Sequence, residues 1–392
     1  MRIVTTLLIT VAIVPGIACL AEDGSPENNT AKKLELLGAT LTRDNAVPEQ
    51  PVTGASFARG SRFNPKHLHM LAGFKRLKEL DLSMIALRDE HLAQVFRLRQ
   101  LTELNLGVRD PEQFQDVAGV DELSQQIVAN PQITDQGMTG LGQLTELTSL
   151  NLNGALLSDV GLKELKHLKL RRLSLCCRLI TDDGLKELSS LKELAELDLD
   201  DTHITDAGIK ELAGLQQLRR LSASRTALTG ASFDALVNLK QLSVLRLEQI
   251  ALTDDGMVAL ARLKGLTSLE LFDNRISDDG FKELRNLPLL MKLKLNLVRV
   301  SNAGMQELGQ IQTLVELNLE NSHVTDNDLA HLSNLNRLGR LDLSQTRVTD
   351  AGVEKLLQKI PQLKFLRLTS TATTAEGINR LRKAFPTAIL TR

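Results

Sequence analysis

The 392-residue chain carries 47 lysines and arginines against 48 aspartates and glutamates, a formal net charge of −1. That balance lacks the cationic excess of an electrostatically driven nucleic-acid binder, so no nucleic-acid partner is expected. Hydrophobic residues make up 42% of the chain but aromatics only 3%, with no Trp and no Tyr, so a packed core must be aliphatic.

Residues 1–21 read as an export signal. Arg2 supplies the positive start, Ile3 to Val14 is an apolar run, Pro15-Gly16 ends it, and Ala18 and Ala21 offer cleavage positions. The run is short for a bilayer span, which needs about 20 residues, and no later segment approaches that length. The mature form is therefore expected to have no membrane span and to reach the periplasm or the exterior. Cys19 keeps an alternative open, lipid attachment at a lipoprotein-type junction, although Gly16 stands where an aliphatic residue is usual. Residues 22–30 form a polar linker. Residues 31–51 are expected to be an N-terminal cap, with a short helix over Ala31 to Leu37. Val52 to Leu71 resembles a degenerate first turn, with Phe57, Phe63, Leu68 and Leu71 at core positions and Asn64-Pro65 at a helix start.

From there the chain repeats. The pattern L-x-x-L-x-L begins at Leu77, Leu101, Leu147, Leu170, Leu194, Leu218, Leu242, Leu266, Leu290, Leu314, Leu338 and Leu363. Every step from Leu170 to Leu338 is 24 residues. Such a period is the signature of a solenoid, which lengthens without adding domains. In the turn from Leu194 to Gln217, Leu197-Asp198-Leu199 alternates as a short strand, and Ile204 points inward again. Thr205-Asp206-Ala207-Gly208 opens a helical turn, the threonine serving as cap and the aspartate suiting the positive helix end. Ile209, Leu212 and Leu215 continue the apolar stripe. One turn cannot bury its apolar side alone, so stacked turns must share one core. The expected fold is an α/β right-handed horseshoe of about 13 turns over residues 52–392. Parallel strands line the concave side, helices lie outside, and Phe385 to Leu390 close the far end, with a cap at 384–392.

The strings ITDDGLKEL (Ile180–Leu188) and HITDAGIKEL (His203–Leu212) closely resemble the leucine-rich repeats of exported proteins of planctomycete-type bacteria. AKKLELLGATLTRD (Ala31–Asp44) resembles the cap that precedes such arrays. The resemblance covers about Ala31 to Arg392. It implies the leucine-rich-repeat solenoid and says little of function, because the family is defined by its scaffold. Related spacing occurs in F-box ubiquitin-ligase adaptors. That role requires a separate F-box segment, for which the chain has no room, and a retained N-terminus.

The recurrent Thr/Ser-Asp-x-Gly is assigned to helix capping rather than to a metal or phosphate site, since a site is used once and a scaffold residue recurs every turn. Binding is expected on the concave face. Its outward residues run in one row through Asp81, Asn105, Asn151 and Asp198, and in a second through Ser83, Asn153, Cys176 and Asp200. Two patches are singled out. Asp198, Asp200 and Asp201 lie beside Cys176, Cys177 and His203; nearby arginines favour neutralising pairs over a metal. Arg246, Glu248 and Glu270 surround Phe272, expected as an exposed aromatic. The 46-residue step from Leu101 to Leu147 inserts residues 107–130, which carry Asp110, Glu112, Asp116, Asp121 and Glu122. They form either a specificity loop or a decayed repeat.

No phosphate-loop, zinc-protease or nucleophile-elbow motif occurs, and no cofactor is expected. The adjacent Cys176 and Cys177 make no disulfide framework. The reading is a non-catalytic, exported module that binds a protein or glycan. The alternatives are a lipid-anchored spacer and, with the N-terminus retained, an F-box-like adaptor.

Overall fold

The computed structural model describes residues 25–107 and 132–392. The export segment, Cys19 and the five insertion acids Asp110, Glu112, Asp116, Asp121 and Glu122 lie outside the described residues. Fifteen strands form one sheet in chain order. They are β1 (Ala39–Arg43), β2 (Val52–Phe57), β3 (Glu79–Asp81), β4 (Glu103–Asn105), β5 (Ser149–Asn151), β6 (Arg172–Ser174), β7 (Glu196–Asp198), β8 (Arg220–Ser222), β9 (Val244–Arg246), β10 (Ser268–Glu270), β11 (Lys292–Lys294), β12 (Glu316–Asn318), β13 (Arg340–Asp342), β14 (Phe365–Arg367) and β15 (Ile389–Thr391). β1 pairs antiparallel with β2, and every later pair is parallel.

The register places leucine beside leucine, as in Leu173↔Leu197↔Leu221, so one aliphatic column runs the length of the sheet. Leu197 is 1% exposed and its turn-mates Leu199, Ile204, Ile209 and Leu212 are fully buried. The aliphatic core expected from composition is what fills the array, with Phe74, Phe233 and Phe281 its largest side chains. Among the described residues no helix is long and apolar enough to cross a membrane.

The N-terminal helix starts earlier than expected, at Pro26, inside the stretch read as linker. Ser25 caps it by accepting from the Asn28 N–H, and proline at the first helical position needs no N–H partner. Ala31 and Leu34 are its buried residues, and Glu27 accepts from the Val52 N–H at 2.8 Å, tying the helix to β2. At the far end β15 closes the stack with Leu390 inward.

Thr/Ser-Asp-x-Gly caps its own helix and also links neighbouring turns. Thr205 accepts from Ala207 N–H within its turn. Its own N–H and hydroxyl donate to Asp182 of the preceding turn, at 2.7 and 2.6 Å. Asp159 holds Thr181 in the same way, and Asp326 holds Thr349. The aspartate therefore serves the following turn, beyond the dipole role expected of it. The glycine makes room for that carboxylate: a Cβ on Gly208 would lie 2.3 Å from Asp182 Oδ1. Asp206, which holds Thr229 and Ser232, has its carboxyl kept below the ordinary aspartate value. Burial opposes ionisation there, but those hydrogen bonds outweigh it.

Among the described residues the ladder breaks at Gly230, where Thr253 N–H and hydroxyl donate instead to the Thr229 carbonyl, and again at Asn302, where the next turn compensates. Asn302 replaces the aspartate, and the next turn carries Asp328 where the glycine would be. Asp328 takes the Thr325 N–H and hydroxyl at 2.8 and 2.7 Å from within the same turn.

Candidate functional site

Residues immediately before and after each strand leucine point to the same, concave side, because strand side chains alternate. Two adjoining rows therefore face outward at the strand centre. One contains Asp81, Asn105, Asn151, Ser174, Asp198 and Ser222. The other, overlooked in the sequence, contains Glu79, Glu103, Ser149, Arg172, Glu196 and Arg220. The period-two rule applied on both sides of the leucine would have found it.

The two halves of this face differ. From β9 to β14 long charged side chains fill it and neutralise one another. Glu270, 6% exposed, is held between Arg246 at 3.2 Å and Lys294 at 3.3 Å. Lys292 meets Glu316 at 3.7 Å, Arg367 meets Asp342 at 3.2 Å, and Arg340 stacks on the Phe365 ring. Phe272, expected to stand exposed, is half-buried. Arg246, Glu248, Glu270 and Phe272 therefore include a saturated ion cluster and a half-buried ring.

From β2 to β9 short side chains, among them Gly54, Ser56, Ser149, Ser174 and Ser222, are set between the charged ones, and a depression of about 770 Å³ opens over them. Of the two patches singled out, only Asp198 and Arg246 line it, together with Asp81, Asn105, Asn151 and Asn153 of the expected rows. Arg172 crosses Ser149, whose Oγ is 3.2 Å from its Nε, to reach Glu103 at 2.7 Å. Glu79 makes no hydrogen bond or ion pair among the described residues. Burial first, and then the neighbouring Glu103, raise its carboxyl above the ordinary glutamate value. Arg220 likewise has no side-chain partner among the described residues and is exposed.

The Asp198–Asp200–Asp201 patch separates into distinct roles. Asp198 accepts from the Cys176 thiol at 3.3 Å. Asp200 accepts from the Ser222 hydroxyl and the Ser224 N–H at 2.6 and 2.7 Å. Burial, and then Asp198, push its carboxyl up to about 6. Asp201 sits in the left-handed backbone region with φ 57° and pairs with Arg225 at 2.7 Å. It is a corner residue, matched in later turns by Arg225, Gln249 and Leu297 at φ 54°, 50° and 58°. Burial pushes the Cys177 thiol to about 12, and burial together with Asp198 pushes Cys176 well up, so both stay protonated at neutral pH. A protonated thiol is neither nucleophile nor metal ligand. His203 is exposed, and among the described residues no cluster of three or more His, Cys, Asp or Glu is placed to hold a metal.

Sheet, repeat and outward rows together define a leucine-rich-repeat solenoid fold. A leucine-rich-repeat family model matches residues 194–213, 266–284 and 338–357. An internalin of Listeria monocytogenes is similar in structure, at 21% identity and TM-score 0.54, covering 86% of this chain and 86% of that one. A leucine-rich-repeat protein of Leptospira interrogans is 19% identical at TM-score 0.48, covering 84% and 88%. No curated protein matches the chain.

Proposed function

We propose that the protein is an exported, non-catalytic binding module that receives a protein partner on its concave strand face. The observation that carries this reading is the depression over β2–β9. It is the stretch of the face where short side chains leave space and where charged groups, Glu79 and Arg220, have no side-chain partner among the described residues. Charges of both signs favour a polypeptide over a neutral glycan, because complementary potentials steer and orient a protein partner. Export rests on Arg2, the apolar run to Val14, and the small residues at Ala18 and Ala21. The acidic stretch 107–130 leaves the array directly after β4 and is carried as a second determinant of specificity.

A photo-crosslinking residue placed at Ser174, in the depression, is expected to yield adducts from the native environment. The same residue at Lys186, on the exposed helical side, is expected not to. Equal labelling from both positions rejects the concave face. Deleting 107–130 is expected to reduce the Ser174 adducts, and unchanged yield removes the insertion from the reading. Mass spectrometry of the mature N-terminus tests export: a start at or after Glu22 supports it, and a lipidated Cys19 supports instead an anchored form.

A further inference from the structure

Within that reading, the charge pattern of the depression goes further and specifies what lies in it. We infer that it takes an extended segment of a partner protein laid across the strands, with a lysine or arginine over Glu79 and Glu103 and an acidic side chain at Arg220.

Glu79 on β3 and Glu103 on β4 are adjacent in register, and so repel each other. One cation, Arg172, serves the pair, and it contacts Glu103 alone. A second cation placed over Glu79 relieves its repulsion with Glu103 and completes the set. Between this acidic end and β8 the row through Asn151, Ser174, Asp198 and Ser222 is made of short side chains, so a backbone can lie close along it, beside Arg172 and Glu196 of the other row. Asn105 Oδ1 is taken by the Gly107 N–H, which leaves its amide nitrogen to donate to a passing carbonyl. At the other end Arg220 stands in register between Glu196 on β7 and Val244 on β9, and makes no ion pair with either among the described residues. Arg246 beside it is already held by Glu270. The β3–β8 separation is five strand spacings, about 24 Å at roughly 4.8 Å each, which an extended chain covers in about seven residues. The segment thus has a defined direction, base towards the N-terminal end of the array and acid towards its middle.

The test is selection of twelve-residue peptides from a random display library against the full chain. Enriched peptides are expected to carry Lys or Arg and Asp or Glu roughly six to eight positions apart. Each of Glu79→Lys and Arg220→Glu should weaken them about tenfold or more, the scale of losing a close interfacial charge pair. Both residues are exposed and make no side-chain bond among the described residues, so unchanged thermal melting should accompany the loss. The doubly reversed protein should bind peptides in which base and acid are exchanged, which a merely structural effect would not produce. Peptides blocked by Ser174→Trp but indifferent to both reversals overturn the charge assignment and leave the concave face standing. A selection that yields no peptide blocked by Ser174→Trp overturns both.

Discussion

Gly208→Ala is the sharpest probe of how the turns are joined. The added methyl would lie 2.3 Å from Asp182 Oδ1 and 3.0 Å from Leu185 Cδ1, so the carboxylate must move. Moving it costs the two hydrogen bonds that Asp182 accepts from Thr205. Bonds to a charged group contribute about 1.5–3 kcal/mol each, and overpacking adds about 1–3 kcal/mol. Alanine returns about 1 kcal/mol through helix propensity. With partial relaxation the net loss is expected at about 2–4 kcal/mol. Gly142→Ala is the control: its methyl would meet only the Glu164 carbonyl oxygen at 3.7 Å, so it should gain about 0.4–1 kcal/mol. In an Asp182→Ala background the obstacle is gone, and Gly208→Ala should become neutral or stabilising. That gives a coupling energy of about 2–5 kcal/mol. With no Trp or Tyr to report, urea unfolding is followed by circular dichroism. If Gly208→Ala matches Gly142→Ala, or adds independently to Asp182→Ala, the steric account of the repeated glycine is wrong.

Further outcomes follow from other residues. Asp200 has a folded-state value near 6 against an ordinary 3.8, so its contribution favours folding below about pH 4 and is lost as pH rises through 6. Asp200→Asn keeps an oxygen for Ser222 and Ser224, and should stabilise the protein by about 1–3 kcal/mol at pH 7.5 and by little at pH 3.5. Equal melting shifts at both pH values would contradict this. Asp328→Gly should cost about 1–2 kcal/mol, because the Thr325 N–H and hydroxyl lose their acceptor. Asn302→Asp alone should also destabilise, by setting a second carboxylate against Asp328, whereas the double variant rebuilds the ordinary joint and should recover most of the loss in urea titration. Leu297 holds φ 58° at an exposed corner, and Leu297→Asn should gain about 0.5–1 kcal/mol, read as a rise in urea midpoint.

Much of the fold could be read from the residues because the turns are nearly identical: the spacing from Leu170 to Leu338 sets strand, corner and helix in one register. The start of the first helix was legible too, in Ser25-Pro26 followed by Glu27, but the polar composition of that stretch concealed it. The double duty of Asp182 was not visible locally. A cap explains Thr-Asp within one turn, and the second bond spans 23 residues. The site divides similarly. Saturation of Glu270 by Arg246 and Lys294 is written in residues 24 apart, whereas reading the patch one turn at a time made it look open. The depression depends on side-chain length along both rows, and one row was not considered. Asp201 looked like a binding acid because its chemistry is visible in sequence and its left-handed backbone is not.

The Asn302–Asp328 joint also bears on how such a chain can grow. A turn ending in aspartate fits any successor that offers glycine, so ordinary turns are interchangeable building units. A turn carrying Asp328 has no space for its predecessor's carboxylate, and so it accepts only a neighbour like the one bearing Asn302. Duplication or deletion of single turns is therefore permitted where Asp meets Gly, while the Asn302 and Asp328 turns must travel as a pair.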